Sequence, residues 1–235
     1  MSVIGIIGAM EVEVATLKQT MEVEREVSCA SLDFAVGRLC GCKVVVVRSG
    51  VGKVNAAICA QILVDRFGVD CIINTGIAGS LNADINIGDI VLSTDALEHD
   101  MDAVAFGYPV GVIPQMDTSV FVADERLRSL ARLACEAVNP DISVFEGRIV
   151  TGDQFIADKT KKNWLVSNFH GMCTEMEGAA IAHTAYNNSI PFLIIRAISD
   201  KADDSASEDY PAFEAKAVRH SVNLVTELCK YLVKM

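Results

Sequence analysis

The chain has 235 residues, 51% of them hydrophobic and 22% charged, which describes a compact globular protein with a substantial core and excludes a disordered one. Its formal net charge of −11 leaves no basic stripe to neutralise phosphates, so nucleic acid is excluded as a partner. Gly, Asn, Thr or Asp interrupts every apolar run well short of the about 20 residues that cross a bilayer, so no membrane contact is expected.

The first element, V-I-G-I-I-G (3–8), has no basic start or small-residue cleavage site and reads as a core strand. A helix is predicted over 10–21, then a hairpin within 25–42 and a strand, K-V-V-V-V-R-S, at 43–49. Further helices are predicted at 53–67, 123–137, 177–188 and 211–234, and further strands at 71–76, 89–93, 147–152 and 191–198. Near-continuous apolar strands alternating with helices predict an α/β fold, a mostly parallel twisted mixed sheet flanked by helices. No linker or repeat divides it, so residues 1–235 read as one domain.

In such sheets ligands bind beyond the carboxyl ends of the strands. The segments G-A-M-E (8–11), R-S-G-V-G (48–52), N-T-G-I-A-G (74–79), T-G-D-Q-F (151–155) and A-I-S-D (197–200) should therefore meet at one rim. R-S-G-V-G-K-V is not a P-loop, because Val47 stands at the first required glycine and Val54 where a magnesium-binding hydroxyl would be. Glu11 and Glu13 fall in a first helical turn, where acids complement the dipole. A carboxylate pointing inward there would repel an anionic substrate and polarise a water instead. Asp200 ends the most apolar strand, where burial would move its pKa toward the range of a general acid. Arg196 lies inside that strand and needs a carboxylate partner. In T-E-M-E (174–177), two acids and Met176 open the predicted helix, either as a plain helix start or as an acceptor for a sugar diol.

Eight cysteines (Cys29, Cys40, Cys42, Cys59, Cys71, Cys135, Cys173, Cys229) include no C-x-x-C pair and read as free thiols of a cytoplasmic protein. His99, His170, His183 and His220 lack metal-binding spacing, and no metal is expected.

Together these stretches resemble the bacterial 5′-methylthioadenosine/S-adenosylhomocysteine nucleosidases of the purine nucleoside phosphorylase-like superfamily. The resemblance rests on I-G-I-I-G-A-M-E-x-E-V, S-G-V-G-K-V-N-A-A, I-I-N-T-G-x-A-G, N-I-G-D-I-V, H-D-x-D-x-x-A-F-G-Y, G-D-x-F-I, E-M-E-x-x-A-I-A-H and P-F-x-x-x-R-A-I-S-D-x-A-D, in order from residue 4 to residue 203. It implies hydrolysis of the N-glycosidic bond of 5′-methylthioadenosine, S-adenosylhomocysteine and 5′-deoxyadenosine, with no cofactor. It casts Glu13 as the base that activates water and Asp200, aided by Ser199, as the acid that protonates the purine. Arg196 remains available beside the catalytic water. Glu177 would accept the ribose hydroxyls, Met176 pack on the sugar, Phe155 stack on adenine and the Ile156 backbone read its edge. Met10, Val51, Tyr210 and Phe213 would line the alkylthio pocket, and Phe106 and Pro114 would reach into a neighbouring subunit's site, implying a homodimer. Ile77 stands where some members carry serine near the water, and Tyr210 where phenylalanine is common. The rival expectations are a phosphorylase, an aminodeoxyfutalosine nucleosidase and a non-catalytic nucleoside-binding protein.

Overall fold

The computed structural model describes residues 3–203 and 206–233, with the side chains of 206–212 outside the description. Its elements in chain order are β1 (Val3–Gly8), α1 (Glu11–Thr20), β2 (Glu22–Cys29), β3 (Leu32–Leu39), β4 (Cys42–Arg48), α2 (Lys53–Phe67), β5 (Cys71–Ser80) and β6 (Ile90–Glu98). A 3-10 turn at Val104–Phe106 precedes β7 (Phe121–Val122), α3 (Glu125–Val138), β8 (Val144–Thr151), α4 (Lys159–Phe169), β9 (Cys173–Glu175), α5 (Gly178–Asn187), β10 (Phe192–Asp200) and α6 (Ala206–Val233).

The strands form one sheet in the order β10-β6-β8-β9-β5-β1-β4-β3-β2, with β7 paired to β6. A further pairing of β10 with β5 closes β5, β10, β6, β8 and β9 into a ring. Parallel pairings run through the centre, β4 to β1 to β5 to β10, and through β6 to β8 to β9. Antiparallel pairings are as numerous, five of each kind, and include the β2–β3–β4 meander that occupies the predicted hairpin region. The meander is antiparallel because its turns are too short for a crossover. Parallel strands need both faces covered. Accordingly α2 and α5 pack together on one face, while α6 packs on β10 and β5 with α1 and α3 beside it on the other.

The apolar strand runs are apolar because both faces are dry. Ile4, Ile6, Ile7, Ile72, Ile73, Leu193, Ile194 and Ile195 are all buried. Each such side chain contributes about 1.5–3 kcal/mol on burial. This core fixes the strand register, and the register sets which residues stand at the carboxyl ends of β1, β4, β5, β8 and β10.

The T-E-M-E stretch folds differently from its expected helical start. Thr174 and Glu175 belong to β9, Glu177 is the N-cap residue, and α5 begins only at Gly178. The acids stand there because strand pairing with β5 and β8 carries the chain through Glu175 before it can coil.

Candidate active site

The five rim segments do converge. They enclose a cavity of about 440 Å³ whose wall includes Met10, Glu13, Val51, Ile77, Phe155, Met176, Glu177, Ser199 and Asp200, together with Ala78, Gly79, Thr174 and Glu175. Ile156 borders a small recess adjoining it, beside Phe155 and Asp200.

Glu13 sits one turn into α1, whose N-cap is Met10, a residue with no capping side chain. The carboxylate therefore turns back and caps the helix itself. Its Oε2 accepts the Ala9 and Met10 amides at 2.7 and 2.9 Å, and Oε1 accepts the Ile77 amide at 3.2 Å. The side chain is buried, and burial raises its pKa above the usual carboxylate value, against those hydrogen bonds and the charge of Arg196. A Cβ on Gly76 would lie 2.7 Å from Glu13 Oε1, so the close approach of β5 to this carboxylate requires glycine. Glu11, by contrast, is exposed and pairs with Lys18 and Arg48 at the surface.

Arg196 is fully buried behind the wall and does not line the cavity. Its guanidinium pairs with Glu175, donates to Asn74 Oδ1, and donates to the Ile195 carbonyl at 3.0 Å. Glu175 also accepts Thr151 Oγ1 and the Gly178 amide, the latter at 2.7 Å. Thr151 Oγ1 in turn accepts the Ala179 amide at 2.7 Å. The ion pair expected for Arg196 thus doubles as the anchor for the start of α5. Asn74 and Thr151, each the first residue of a rim segment but neither named as a site residue from sequence, complete it.

Asp200 reaches the cavity through an irregularity. Ile198 pairs with Ala78 and Asp200 with Gly79, so Ser199 is an extra residue in β10. A regular strand would send Ser199 and Asp200 to opposite faces, but the bulge brings both to the cavity wall. Ser199 Oγ donates to Asp200 Oδ2 at 2.8 Å, and the Ala202 amide donates to Oδ1 at 2.8 Å.

Glu177 Oε1 accepts the Gly52 amide at 2.8 Å, where Gly52 holds φ at +96°, a value side chains rarely adopt. The next amide, Lys53, donates to Asp153 Oδ1 at 2.8 Å, and the Asp153 amide donates to Asp100 Oδ2 at 2.9 Å. Lys53 Nζ then closes the network on Asp100 and Glu98 at 2.7 and 3.0 Å. The loop holding Glu177 and the loop carrying Phe155 are in this way tied to each other. Thr174, absent from the sequence-based site, has its Oγ1 buried without a hydrogen-bond partner at the cavity wall.

Burial and the nearby Glu175 charge raise the Glu177 pKa to about 8. A carboxyl raised in the folded state contributes stability that is complete below its unfolded value of 4.5 and lost as the pH rises through about 8. We therefore expect the thermal midpoint of Glu177→Gln to exceed that of the ligand-free wild type by a margin that widens across this window. Glu98, held low by His183 and Lys53, titrates below it and is common to both proteins. A midpoint difference independent of pH would remove the raised carboxyl from the account.

Besides Arg196 and Ile156, three residues assigned by sequence (Phe213, Phe106 and Pro114) do not line this wall. Phe213 lies on α6, 38% exposed, and the Tyr210 side chain lies outside the described residues. Phe106 is 84% exposed on the 3-10 turn, and Pro114 is half-buried in the loop that follows.

The Phosphorylase superfamily model matches residues 3–230. A 5′-methylthioadenosine/S-adenosylhomocysteine nucleosidase of Shewanella piezotolerans is 41% identical over 230 residues, covering 97% of this chain and 99% of its own. The structure of the nucleosidase of that name from Neisseria meningitidis, in complex with methylthio-immucillin-A, superposes with a TM-score of 0.94 at 37% identity, covering 98% of this chain and 100% of the other. The native futalosine hydrolase of Helicobacter pylori superposes with a TM-score of 0.92 at 31% identity, covering 100% and 98%.

Proposed function

The chain belongs to the phosphorylase superfamily and, within it, to the 5′-methylthioadenosine/S-adenosylhomocysteine nucleosidases, and from that premise we propose how its residues divide the work. The enzyme hydrolyses the N-glycosidic bond of these adenine nucleosides, releasing adenine and a thioribose, and residues 1–235 act as one nucleosidase domain. Asp200, steadied by Ser199, gives its proton to the purine N7 and makes adenine a neutral leaving group. Glu13 orients and deprotonates the water that adds at the anomeric carbon, where positive charge develops. Glu177 accepts the 2′- and 3′-hydroxyls, Met176 lies against the sugar, Phe155 stacks on adenine and the Ile156 backbone reads its edge. Met10, Val51, Ile77, Tyr210 and Phe213 surround the 5′ tail and the water. Arg196 acts from behind, fixing Glu175 and lending positive charge to the Glu13 corner. The reading places the enzyme in the cytoplasm. Among the described residues no helix is long and apolar enough to cross a membrane.

One observation carries hydrolysis over phosphorolysis. The Ala9, Met10 and Ile77 amides at the nucleophile corner all donate to Glu13, and the Arg196 guanidinium is committed to Glu175 and Asn74. A phosphate would need those donors for itself, and would meet a carboxylate instead. Adenine release should be the same with and without millimolar phosphate, and the sugar product should carry no phosphate ester. A ribose-1-phosphate species as the main product would make the enzyme a phosphorylase.

The similarity to a futalosine hydrolase supports a second adenine nucleoside, aminodeoxyfutalosine, as a substrate of the same site. Competition between it and 5′-methylthioadenosine in one assay would rank them.

The homodimer reading finds support in large apolar side chains left exposed on α2, Val54 and Ile58 at 70% and 45%, and on the 3-10 turn, Val104 and Phe106 at 55% and 84%. In it Phe106 and Pro114 cover the neighbour's 5′ pocket. Phe106→Asp should shift the sedimentation coefficient toward the monomer and raise KM for 5′-methylthioadenosine. An unchanged dimer with unchanged KM would sink that assignment.

A further inference from the structure

A second cavity, about 470 Å³, lies among the amino ends of β4, β5 and β10, at the opposite end of the strands from the nucleoside cavity. The last turn of α6 forms one side through Leu232 and Val233. Its wall also carries Cys42, Cys71 and both signs of charge, Lys43 and Arg126 with Asp70 and Asp124. None of these residues takes part in the hydrolysis described above.

Two thiols meet here from distant parts of the chain. Cys42 Sγ donates to the Cys229 carbonyl at 3.1 Å, which puts the two cysteines in direct contact. Cys42 is on the cavity wall, whereas Cys229 is fully buried and off it. The hydrogen bond from Cys229 outweighs burial and holds the Cys42 thiol below its ordinary pKa, while the same contact and burial push Cys229 up. Cys71, the other thiol on the wall, is pushed up to about 12 by burial and is the poorer nucleophile.

We propose that Cys42 and Cys229 form a dithiol modification site: a small, zwitterionic disulfide entering this cavity is attacked by Cys42 and then displaced by Cys229. In the first step the Cys42 thiolate bonds to one sulfur of the small disulfide, whose S–S bond breaks. The departing thiolate takes up the proton that Cys42 lost. Cys229 then loses its proton and attacks Cys42 Sγ, which expels the second small thiol. The chain's two thiols are oxidised to an intrachain disulfide, and the small disulfide is reduced to two thiols. The charged side chains around the cavity suit the carboxylates and ammonium groups of such a reagent. Cys42, at the wall, makes the attack, and Cys229, behind it, resolves the adduct. The bond would join the start of β4 to the last turns of α6 and close residues 42–229 into a loop, leaving β1 to β3 outside it.

The test uses the full chain with oxidised glutathione as the probe, followed by alkylation, peptide mapping and a thermal melt. The expected product is lighter by two hydrogens, contains a linked Cys42–Cys229 peptide, melts at a higher temperature and reverts with dithiothreitol. Cys229→Ser should stop at a glutathione adduct on Cys42, and Cys42→Ser should give neither adduct nor link at either position. Cys40→Ser, which removes an exposed thiol, should behave as the wild type. Retained adenine release by each variant shows that it is folded. Modification confined to Cys40, an adduct on Cys42 that persists in the wild type, or no reaction at Cys42 in the folded protein would each overturn the proposal.

Discussion

Glu13→Gln should release adenine from 5′-methylthioadenosine at least about a thousandfold more slowly than the wild type, while still binding the nucleoside. General bases typically contribute 10²–10⁴-fold, and this one also orients the water it activates. Glutamine keeps the length of the side chain, and its carbonyl oxygen can still accept the Ala9 and Met10 amides. Its amide nitrogen would then face the Ile77 amide, donor against donor, so the water loses both its base and its anchor. Burial already raises the pKa of this carboxyl, so the neutral side chain should still fold, at the modest cost of leaving the buried Ile77 amide without its acceptor. Single-turnover adenine release, ligand affinity by calorimetry and a thermal melt separate these effects. Near-normal turnover would take Glu13 out of the chemistry. Lost binding together with a collapsed melting point would make it a helix cap and no more.

Asp200→Asn should cost a similar factor in kcat with KM changed by less than about threefold, because protonation of the purine belongs to the transition state and not to the bound nucleoside. Asparagine retains the acceptor for the Ala202 amide and can offer N7 a hydrogen bond, but it has no proton to give. A riboside whose leaving group departs without protonation, such as a nitrophenolate, supplies the internal control. Asp200→Asn should hydrolyse it nearly as fast as the wild type, whereas Glu13→Gln should fail on it as well. Equal loss on both substrates would assign Asp200 a structural role through Ser199 and Ala202.

The sheet was legible where sequence and burial obey one period. Ile4–Ile7, Val44–Val47 and Leu193–Ile195 are apolar in succession because both their faces are covered, and no other element explains such runs. Besides the two-residue β7, two elements escaped for opposite reasons. α4 opens K-T-K-K-N-W, with no apolar stripe to betray a helix that buries little beyond Leu165 and Phe169. β9 is three residues long and is defined wholly by partners far away in sequence. Its invisibility made Glu175 look like the first turn of a helix, although the need of Arg196 for a buried carboxylate pointed at it. The bulge at Ser199 was likewise hidden, because strict alternation would place only one of Ser199 and Asp200 at the cavity. Phe106 and Pro114 could be named only through family resemblance, since nothing local makes an exposed loop residue part of a pocket.

The order in which β1, β5 and β10 pair has a kinetic consequence. Glu13 follows the first strand and Asp200 ends the last, and they face one cavity only after β5 has taken β1 on one side and β10 on the other. Both pairings are parallel and join segments far apart along the chain, the kind of contact that forms late because a large loop must close first. Helical signal during refolding should therefore recover ahead of adenine release. Recovered turnover would time the arrival of the last strand, and a chain truncated before Phe192, still rich in secondary structure, would show none.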